Sequence, residues 1–302
     1  MNIHATDPAT YKSCRRKFYY GTVLRLKPKE EHGYFSFGKA GHAALHAHYT
    51  KLGDPLEVFQ KEATELGVSW TDIEDGLLML QNYLDTYKDE VVGEVVSAEE
   101  TREISFGDVN FKFTIDLLMK VGNGYEIWDH KFFSSFPNER DLVMSEQATS
   151  YIWGLRKMGY WPLRFKLNVI RKEIPTEPTL LVRGGLSQAK TQLTTPALYR
   201  QALDKYGLDP TEYSEYLQWL EERDDPYCRR YTTTRSAHEL DRFEKDLWDE
   251  MVDMTADRGY YRNPGMPCNY CLFYDLCRTD YEGGDMDLMI ETYYARRVDG
   301  ER

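Results

Sequence analysis

Residues 109–133, VNFKFTIDLLMKVGNGYEIWDHKFF, contain two runs of alternating apolar residues, 109–120 and 124–132. A Gly-Asn-Gly segment separates the runs, and glycine with asparagine is typical of a tight turn. A similar run at 95–106 precedes them and is followed by a Gly-Asp pair. Strand-like runs of this length between turn residues predict an antiparallel meander of three strands.

Charged side chains interrupt this apolar meander. Asp116 lies in the second strand, and Asp129 and Lys131 lie two apart in the third, so the latter two point to the same face. Two carboxylates about 4 Å apart repel by about 4 kcal/mol at an effective dielectric of 20. Such a pair needs a cation or a shared proton, and oxygen ligands suit Mg²⁺ or Mn²⁺. For the D-x-K motif alone, a salt bridge on a surface strand remains the alternative.

Helical patterns flank the meander on both sides. Apolar residues recur at helical spacing in five segments, 7–19, 38–50, 71–90, 141–158 and 237–258. Further strands are predicted at 164–171, 179–183 and 227–233. Residues 187–225 are predicted to be helical, polar and acidic, and are interpreted as an insertion, whereas the chain from Asn263 onward is predicted to be loop-like. This order predicts an α/β fold with a small mixed sheet.

The charge and the distribution of apolar residues limit the kinds of protein that this sequence can encode. The 302 residues carry a net charge of −12, which argues against a protein that coats nucleic acid non-specifically but allows a local basic channel. Residues 12–29 contain seven basic residues and no acid, which would suit such a channel if a cleavage site lies beside them. No apolar run approaches 18 residues and the start lacks a signal-peptide pattern, so a cytoplasmic protein without membrane contact is expected.

The cysteines indicate a metal centre, because cytosolic thiols stay reduced. Cys268, Cys271 and Cys277 lie within ten residues, and three thiolates at that spacing repel one another unless a metal neutralises them. Structural zinc and [4Fe–4S] centres both use four ligands as a rule. Cys14 and Cys228 are the two remaining candidates for the fourth ligand.

The order of the candidate residues resembles that of the RecB-like PD-(D/E)xK nucleases. Gly38 precedes His42 by four residues, Ile115-Asp116 stands at the "PD" position, and 129–131 is the "(D/E)xK". Gln147 and Tyr151 match the Q-xxx-Y helix, where the resemblance implies that they position the site and the DNA strand. His46 lies one turn after His42, so a zinc-binding histidine pair is conceivable, but the G-xxx-H spacing favours His42.

The resemblance implies a restriction-endonuclease-like core and specific roles in the site. His42, Asp116 and Asp129 would coordinate catalytic Mg²⁺ or Mn²⁺, with help from the backbone carbonyl of His130. Lys131 would orient the attacking water and stabilise the charge that develops on the phosphate. Such a protein would hydrolyse the phosphodiester bonds of DNA.

The N-terminal segment YKSCRRKFYY, residues 11–20, resembles the first helix of AddB-type and CRISPR-adaptation nucleases. In those families one early cysteine joins three late ones around a [4Fe–4S] cluster. The resemblance therefore implies a cluster that ties the N- and C-terminal segments together, with zinc as the alternative metal and Cys228 left to ordinary packing. The four ligands would be Cys14, Cys268, Cys271 and Cys277.

The expectation is a single RecB-like nuclease domain over residues 1–302, acting as an exonuclease on DNA ends or single strands in recombination, repair or replication. Its parts are expected to be a helical segment 1–92, a catalytic core 93–172, an insertion 173–233 and a C-terminal helix with the cluster-binding segment 234–302. No P-loop is present, so a helicase fusion is excluded. The insertion favours a phage-encoded enzyme in the host cytoplasm, with a recombination or replication protein as partner. The alternatives are end-trimming during CRISPR spacer acquisition and a non-catalytic iron–sulfur DNA-binding protein.

Overall fold

The computed structural model describes residues 2–30, 33–90, 93–161, 163–256 and 259–297. At its centre is a mixed six-stranded sheet. Its strands are β1 (Asn2–His4), β3 (Glu94–Phe106), β4 (Val109–Val121), β5 (Gly124–Phe133), β6 (Leu163–Arg171) and β7 (Cys228–Thr233). A separate antiparallel pair joins β2 (Leu26–Pro28) to β8 (Tyr294–Arg296).

Twelve α-helices occur within the described residues. The first half of the chain supplies α1 (Asp7–Ser13), α2 (Arg15–Phe18), α3 (Gly33–Thr50), α4 (Pro55–Glu65) and α5 (Trp70–Thr86). The second half supplies α6 (Glu139–Val143), α7 (Glu146–Lys157), α8 (Pro196–Tyr206), α9 (Ser214–Glu222), α10 (Ala237–Thr255), α11 (Tyr274–Glu282) and α12 (Met286–Tyr293). No helix in the part of the chain described here is long and apolar enough to cross a lipid bilayer.

The predicted meander is confirmed, since β3, β4 and β5 pair in sequence order and antiparallel. Strand β6 then joins β5 in parallel, and β7 returns antiparallel to β6. The short β1 runs parallel to the first half of β4, along residues 110–112. Strand β4 therefore has β1 beside its first half and β5 beside its second half.

Helices cover both faces of the sheet, as the α/β interpretation requires. On one face, α7 and α10 pack on β4, with Phe113 and Trp153 in the core. On the other face, α3, α4 and α5 pack on β5, with Phe59 and Trp128 in the core. Two charged residues of the predicted site, Asp116 and Asp129, lie within β4 and β5.

Glycines allow two helices to approach the sheet closely. A Cβ at Gly154 of α7 would lie 2.6 Å from the Phe113 ring, and a Cβ at Gly41 of α3 would overlap the Phe132 ring. Ser145 caps α7 by accepting a hydrogen bond from the Ala148 backbone, which fixes where that helix begins. Both helices that carry predicted site residues are thus packed directly on strand side chains.

Several predicted elements differ from the structure. Residues 179–183 do not form a strand; the chain turns back at Gly184 and Gly185, both at positive φ, and only a Leu180–Leu186 bridge forms. The region after Asn263 is loop-like only up to Phe273, since α11 and α12 follow. The Pro, Gly and Cys content of the region led to the loop prediction. Helix α4 was not predicted, and the end at Arg258 predicted for α10 lies outside the described residues.

The predicted insertion has a small core of its own. Tyr199, Leu203 and Tyr216 are buried there together, between α8 and α9. The insertion begins after β6 and ends where β7 begins. Because β6 runs parallel to β5 and β7 runs antiparallel to β6, both ends of the insertion lie at the end of the sheet where β5 also ends. The segment boundaries at 92, 172 and 233 stay predictions.

Candidate functional site

Asp116 and Asp129 lie at a fork in the sheet. The pairing of β4 with β5 begins at Val121 and Gly124 and ends at Leu117 and Trp128. Asp116 and Asp129 are the next residues beyond that last pair. Both are buried, with 6% and 1% of their surface exposed. The strands therefore diverge where the carboxylates stand, which leaves room for a ligand between them.

Asp116 belongs to a compact group with His42 of α3 and Glu99 of β3. His42 Nδ1 lies 3.3 Å from Glu99 Oε1 and 3.4 Å from Asp116 Oδ2. One potential ligand atom from each of the three residues lies within 4.8 Å of the others. Asp116 Oδ2 also accepts a hydrogen bond of 2.8 Å from the His130 backbone N–H. Three converging donor groups of these types could hold a divalent cation.

Asp129 is held by a second set of partners. Lys131 Nζ lies 2.8 Å from its Oδ1 and 2.7 Å from its Oδ2. Gln147 Nε2 donates to Asp129 Oδ1 at 3.1 Å and lies at the same distance from the Tyr151 hydroxyl. The structure thus brings the predicted D-x-K and Q-xxx-Y residues into one hydrogen-bonded unit. Asp129 is engaged with Lys131 and Gln147, whereas Glu99 stands in the compact group with His42 and Asp116.

The electrostatics of the site favour an added cation. Burial and the neighbouring Asp129 carboxylate raise the pKa of Asp116 to about 6. Burial lowers the pKa of His42, but the Glu99 and Asp116 carboxylates outweigh this and the net shift is upward. The pKa of Lys131 is likewise raised, because Asp129 and Asp116 outweigh the effect of burial. Burial and mutual repulsion oppose the ionisation of clustered acids, and a bound metal ion offsets that unfavourable energy.

The donor set fits a hard divalent ion. Carboxylates and backbone carbonyls suit Mg²⁺ and Mn²⁺, and one imidazole among them is compatible with Mn²⁺. The His130 ring stacks on Tyr49 with ring centroids 5.6 Å apart, meets the His42 ring edge-on at 6.2 Å, and has its Nδ1 engaged by the Asn168 amide at 2.9 Å. A contribution of His130 to the metal would therefore come through its backbone carbonyl, as the family resemblance implied.

Glu99 is the site residue that the sequence interpretation missed. It has a left-handed backbone with φ +48°, which is uncommon for a residue other than glycine. The signal that could have found it is the register of the hairpin, because pairing outward from Phe106 and Val109 places Glu99 opposite Asp116. Acidic residues are frequent on exposed strands, so the residue type alone gave no indication.

The four predicted cluster cysteines line one cavity of about 280 Å³. Four cations also line it: Arg16, Lys17, Arg262 and Arg278. Among the described residues, no three of the sulfur atoms lie within 4.8 Å of one another. Cys228 lies elsewhere, buried in the core between the sheet and α3 to α5. The structure therefore gathers the predicted set around one space without placing it in a mononuclear geometry.

The basic N-terminal run contacts acids of the C-terminal half. Lys12 pairs with Glu146 and Glu250, and its shorter contact is with Glu146. Arg15 pairs with Asp253 at 2.6 Å. These ion pairs give the cations a role in joining α1 and α2 to α10, and the prediction that the run grips DNA stays untested.

One comparison with known proteins identifies a family for this chain. The model of the PD-(D/E)XK nuclease superfamily matches residues 5–278. Among solved structures, a proposed exonuclease from Eubacterium rectale is 9% identical with a TM-score of 0.46, covering 89% of this chain and 92% of its own. A protein named SSO0001 is 12% identical with a TM-score of 0.37, covering 91% and 85%. Among curated proteins, none matches the chain.

Proposed function

The chain belongs to the PD-(D/E)XK nuclease superfamily, and from this premise we propose that it is a deoxyribonuclease that uses Mg²⁺ or Mn²⁺. The observation that carries the proposal is the convergence of His42, Glu99 and Asp116 beside the Asp129–Lys131 pair. The proposed ligands are His42, Asp116 and Asp129 with the His130 carbonyl, and Glu99 is added to them.

A divalent ion bound at this group would supply the charge that polarises the scissile phosphate and lowers the pKa of a nearby water. The protein groups do the rest. Lys131 stays protonated because its pKa is raised, so it can donate to a phosphate oxygen or orient the attacking water. Gln147 fixes Asp129 through its amide, and the Tyr151 hydroxyl remains a neutral donor because burial and Asp129 raise its pKa to about 12.

Cleavage of end-labelled single- and double-stranded DNA with Mg²⁺ or Mn²⁺ tests the proposal. Asp129→Ala and Lys131→Ala are expected to lower the rate by about 10²-fold or more, as the loss of one preorganised charged group commonly does. His46→Ala is the matched control, because His46 lies one turn from His42 on the same helix and is expected to leave cleavage unchanged. A wild-type protein that cuts neither substrate with either metal contradicts the enzyme proposal.

The same assay addresses the finer proposal that the enzyme acts from DNA ends or on single strands in recombination, repair or replication. Digestion that releases short products from labelled ends and spares closed circles supports the exonuclease proposal. Cutting of covalently closed circles argues instead for an endonuclease. Co-purification with an integrase would favour the CRISPR end-trimming alternative, and DNA binding without cleavage would favour a non-catalytic protein.

We also propose that Cys14, Cys268, Cys271 and Cys277 hold a [4Fe–4S] cluster. Tetrahedral zinc with bonds of about 2.3 Å would bring its sulfurs to about 3.8 Å from one another. The proposal is supported by the cavity of about 280 Å³ that all four cysteines line. The surrounding arginines and lysine would offset the negative charge of four thiolates. Zinc remains the alternative metal.

Elemental analysis and absorption spectra of protein purified without oxygen test the cluster. Four iron and four sulfide per chain, with a broad absorption band in the blue, are expected. A colourless protein with one zinc per chain would select the alternative. Neither outcome bears on the nuclease site, which uses different residues.

A further inference from the structure

Behind the candidate site lies a buried cation that the cleavage chemistry does not use. Arg230 of β7 has only 11% of its side chain exposed. Its guanidinium lies 3.5 Å from the centre of the Tyr87 ring and 4.5 Å from that of Trp128. It pairs with Glu90, which offsets the cost of burying the charge.

The hydrogen bonds of Arg230 fix the orientation of an amide. Arg230 Nε donates to Asn168 Oδ1 at 3.1 Å. Arginine can only donate, so the carbonyl oxygen of Asn168 must face it. The amide nitrogen of Asn168 then faces the Tyr83 hydroxyl at 3.0 Å and His130 Nδ1 at 2.9 Å. Arg230 also donates to the Tyr83 hydroxyl at 3.0 Å, which closes the network.

This amide orientation determines which nitrogen of His130 carries the proton. The Asn168 amide nitrogen donates and cannot accept, so His130 Nδ1 must be the acceptor. The ring proton then resides on Nε2. The ring is 2% exposed and stacks on Tyr49, and a flip within that plane would lose the 2.9 Å hydrogen bond between Nδ1 and the Asn168 amide.

His130 connects this network to the site through the backbone. Side chains alternate across a strand, so the His130 ring lies on the face opposite Asp129 and Lys131. The His130 backbone N–H donates a hydrogen bond of 2.8 Å to Asp116 Oδ2. The backbone carbonyl of His130 is a proposed metal ligand. The Asn168 hydrogen bond and the Tyr49 stack fix the position of the His130 residue, and with it the N–H and the carbonyl that face the site.

We propose that Arg230 is a positioning residue that acts through Asn168 to fix His130 as the Nε2-protonated tautomer. It thereby holds in place the His130 backbone, whose N–H binds Asp116 and whose carbonyl is proposed to bind the metal. The predicted effect on metal binding rests on the proposed nuclease site, whereas the tautomer does not. The two statements are therefore tested by separate measurements.

The tautomer is read from two-bond ¹H–¹⁵N correlation spectra of the full chain labelled with ¹⁵N-histidine. His130→Gln identifies the His130 signals. The expected pattern is an unprotonated Nδ1 and a protonated Nε2. In Asn168→Asp the carboxylate can accept hydrogen bonds from both Arg230 and His130. The ring proton of His130 is therefore expected to move from Nε2 to Nδ1. A wild-type Nδ1–H, or an unchanged tautomer in Asn168→Asp, overturns the proposal.

Mn²⁺ binding, measured by calorimetry on the full-length wild type and its Arg230 variants, tests the effect on the site. Arg230→Met is expected to raise the Kd for Mn²⁺ about 10- to 100-fold, the range typical of lost supporting residues behind a metal ligand. Arg230→Lys keeps the charge but lacks the Nε donor, and is expected to weaken binding similarly. Should Arg230→Met fail to fold, the lysine variant carries the test.

Arg229→Met is the matched control, since Arg229 is the preceding residue of β7 and lies over Phe136, away from Asn168. It is expected to bind Mn²⁺ as the wild type does. Equal affinity in Arg230→Met, Arg230→Lys and the wild type overturns the positioning role. A wild type that binds no Mn²⁺ would refute the proposed metal site. Tautomer spectra recorded also for Arg230→Met would then still decide the Arg230–Asn168–His130 link, and an unchanged tautomer there would remove Arg230 from it.

Discussion

At the scale of single residues, much of the unfavourable electrostatic energy of the site arises from the ionisation of Asp116. Its pKa is raised from the ordinary 3.8 to about 6 by burial and by Asp129. The folded protein therefore holds the proton to a higher pH than the unfolded chain does. Without metal, folding stability should fall as pH rises from about 4 to about 6, and stay lower above that range.

Asp116→Asn removes this ionisation. In EDTA the variant is expected to be more stable than the wild type by on the order of 1–3 kcal/mol at pH 7.5, with little difference at pH 4. Urea unfolding at both pH values measures the difference. Adding Mn²⁺ at pH 7.5 should stabilise the wild type far more than the variant. A stability difference that does not change with pH contradicts the assignment.

Glu99 combines an uncommon backbone conformation with a position next to the proposed metal. Positive φ at a non-glycine residue costs energy, and residues strained in this way cluster at functional sites. Glu99→Gln keeps the size of the side chain and removes the charge, so the Kd for Mn²⁺ is expected to rise about tenfold or more. Glu100→Gln is the control, because Glu100 pairs with Arg102 instead. Equal Mn²⁺ affinity in Glu99→Gln and the wild type would remove Glu99 from the ligand set.

At the scale of elements, the fork between β4 and β5 creates the site. Strand β1 takes the place of β5 beside the first half of β4, so β4 stays paired while β5 diverges toward β6. Helices α3 and α7 pack on the two faces of the sheet beside this fork. Helix α3 then supplies His42, and its distance from β5 controls the geometry.

Two glycines of α3 test this dependence on helix position. A Cβ at Gly38 meets nothing within 4 Å, whereas a Cβ at Gly41 would overlap the Phe132 ring. Gly38→Ala is therefore expected to stabilise the fold by about 0.5–1 kcal/mol through helix propensity. Gly41→Ala is expected to cost about 1–3 kcal/mol and to reduce cleavage by moving His42. Urea unfolding and the cleavage assay measure both, and similar behaviour of the two variants would contradict the packing argument.

At the scale of the whole molecule, the two ends of the chain are tied together in three ways. Strand β2 pairs with β8, the cations of α1 and α2 pair with acids of α10 and α11, and the cysteine cavity draws on both ends. Tyr20 and Phe273 pack together in a small core beside that cavity. The proposed cluster would therefore stabilise a region that contains little other buried apolar surface.

Loss of one cluster ligand should loosen this region selectively. Cys14→Ala is expected to lose iron and to lower Tm by roughly 10 °C, since metal ligation can contribute several kcal/mol. Hydrogen exchange should accelerate in α1, α2 and α11 but not in β4 and β5. Cys228→Ala is the matched control and is expected to keep its iron. Retention of iron by Cys14→Ala would exclude Cys14 as a ligand.

The sequence alone was sufficient for the features that depend on local pattern. The alternation in 95–132 predicted the meander, the G-xxx-H, D-x-K and Q-xxx-Y spacings indicated the family, and the family model agrees. Each of these signals lies within a few residues, where side-chain period and turn chemistry act directly. Segment 179–183 was predicted wrongly because a short apolar run does not distinguish strand, turn and helix. The helices of the cysteine-rich end were missed because its Pro, Gly and Cys content was taken to indicate a loop.

Only the tertiary structure decided which distant groups meet. Glu99 joins His42 across 57 positions because β3 and α3 converge on the same sheet edge. Arg230 reaches Asn168 only because the chain returns after the insertion as β7 beside β6. The pKa of Asp116 and the tautomer of His130 follow from burial and from donors contributed by other elements. Such properties belong to contacts between segments, and local sequence cannot encode them one segment at a time.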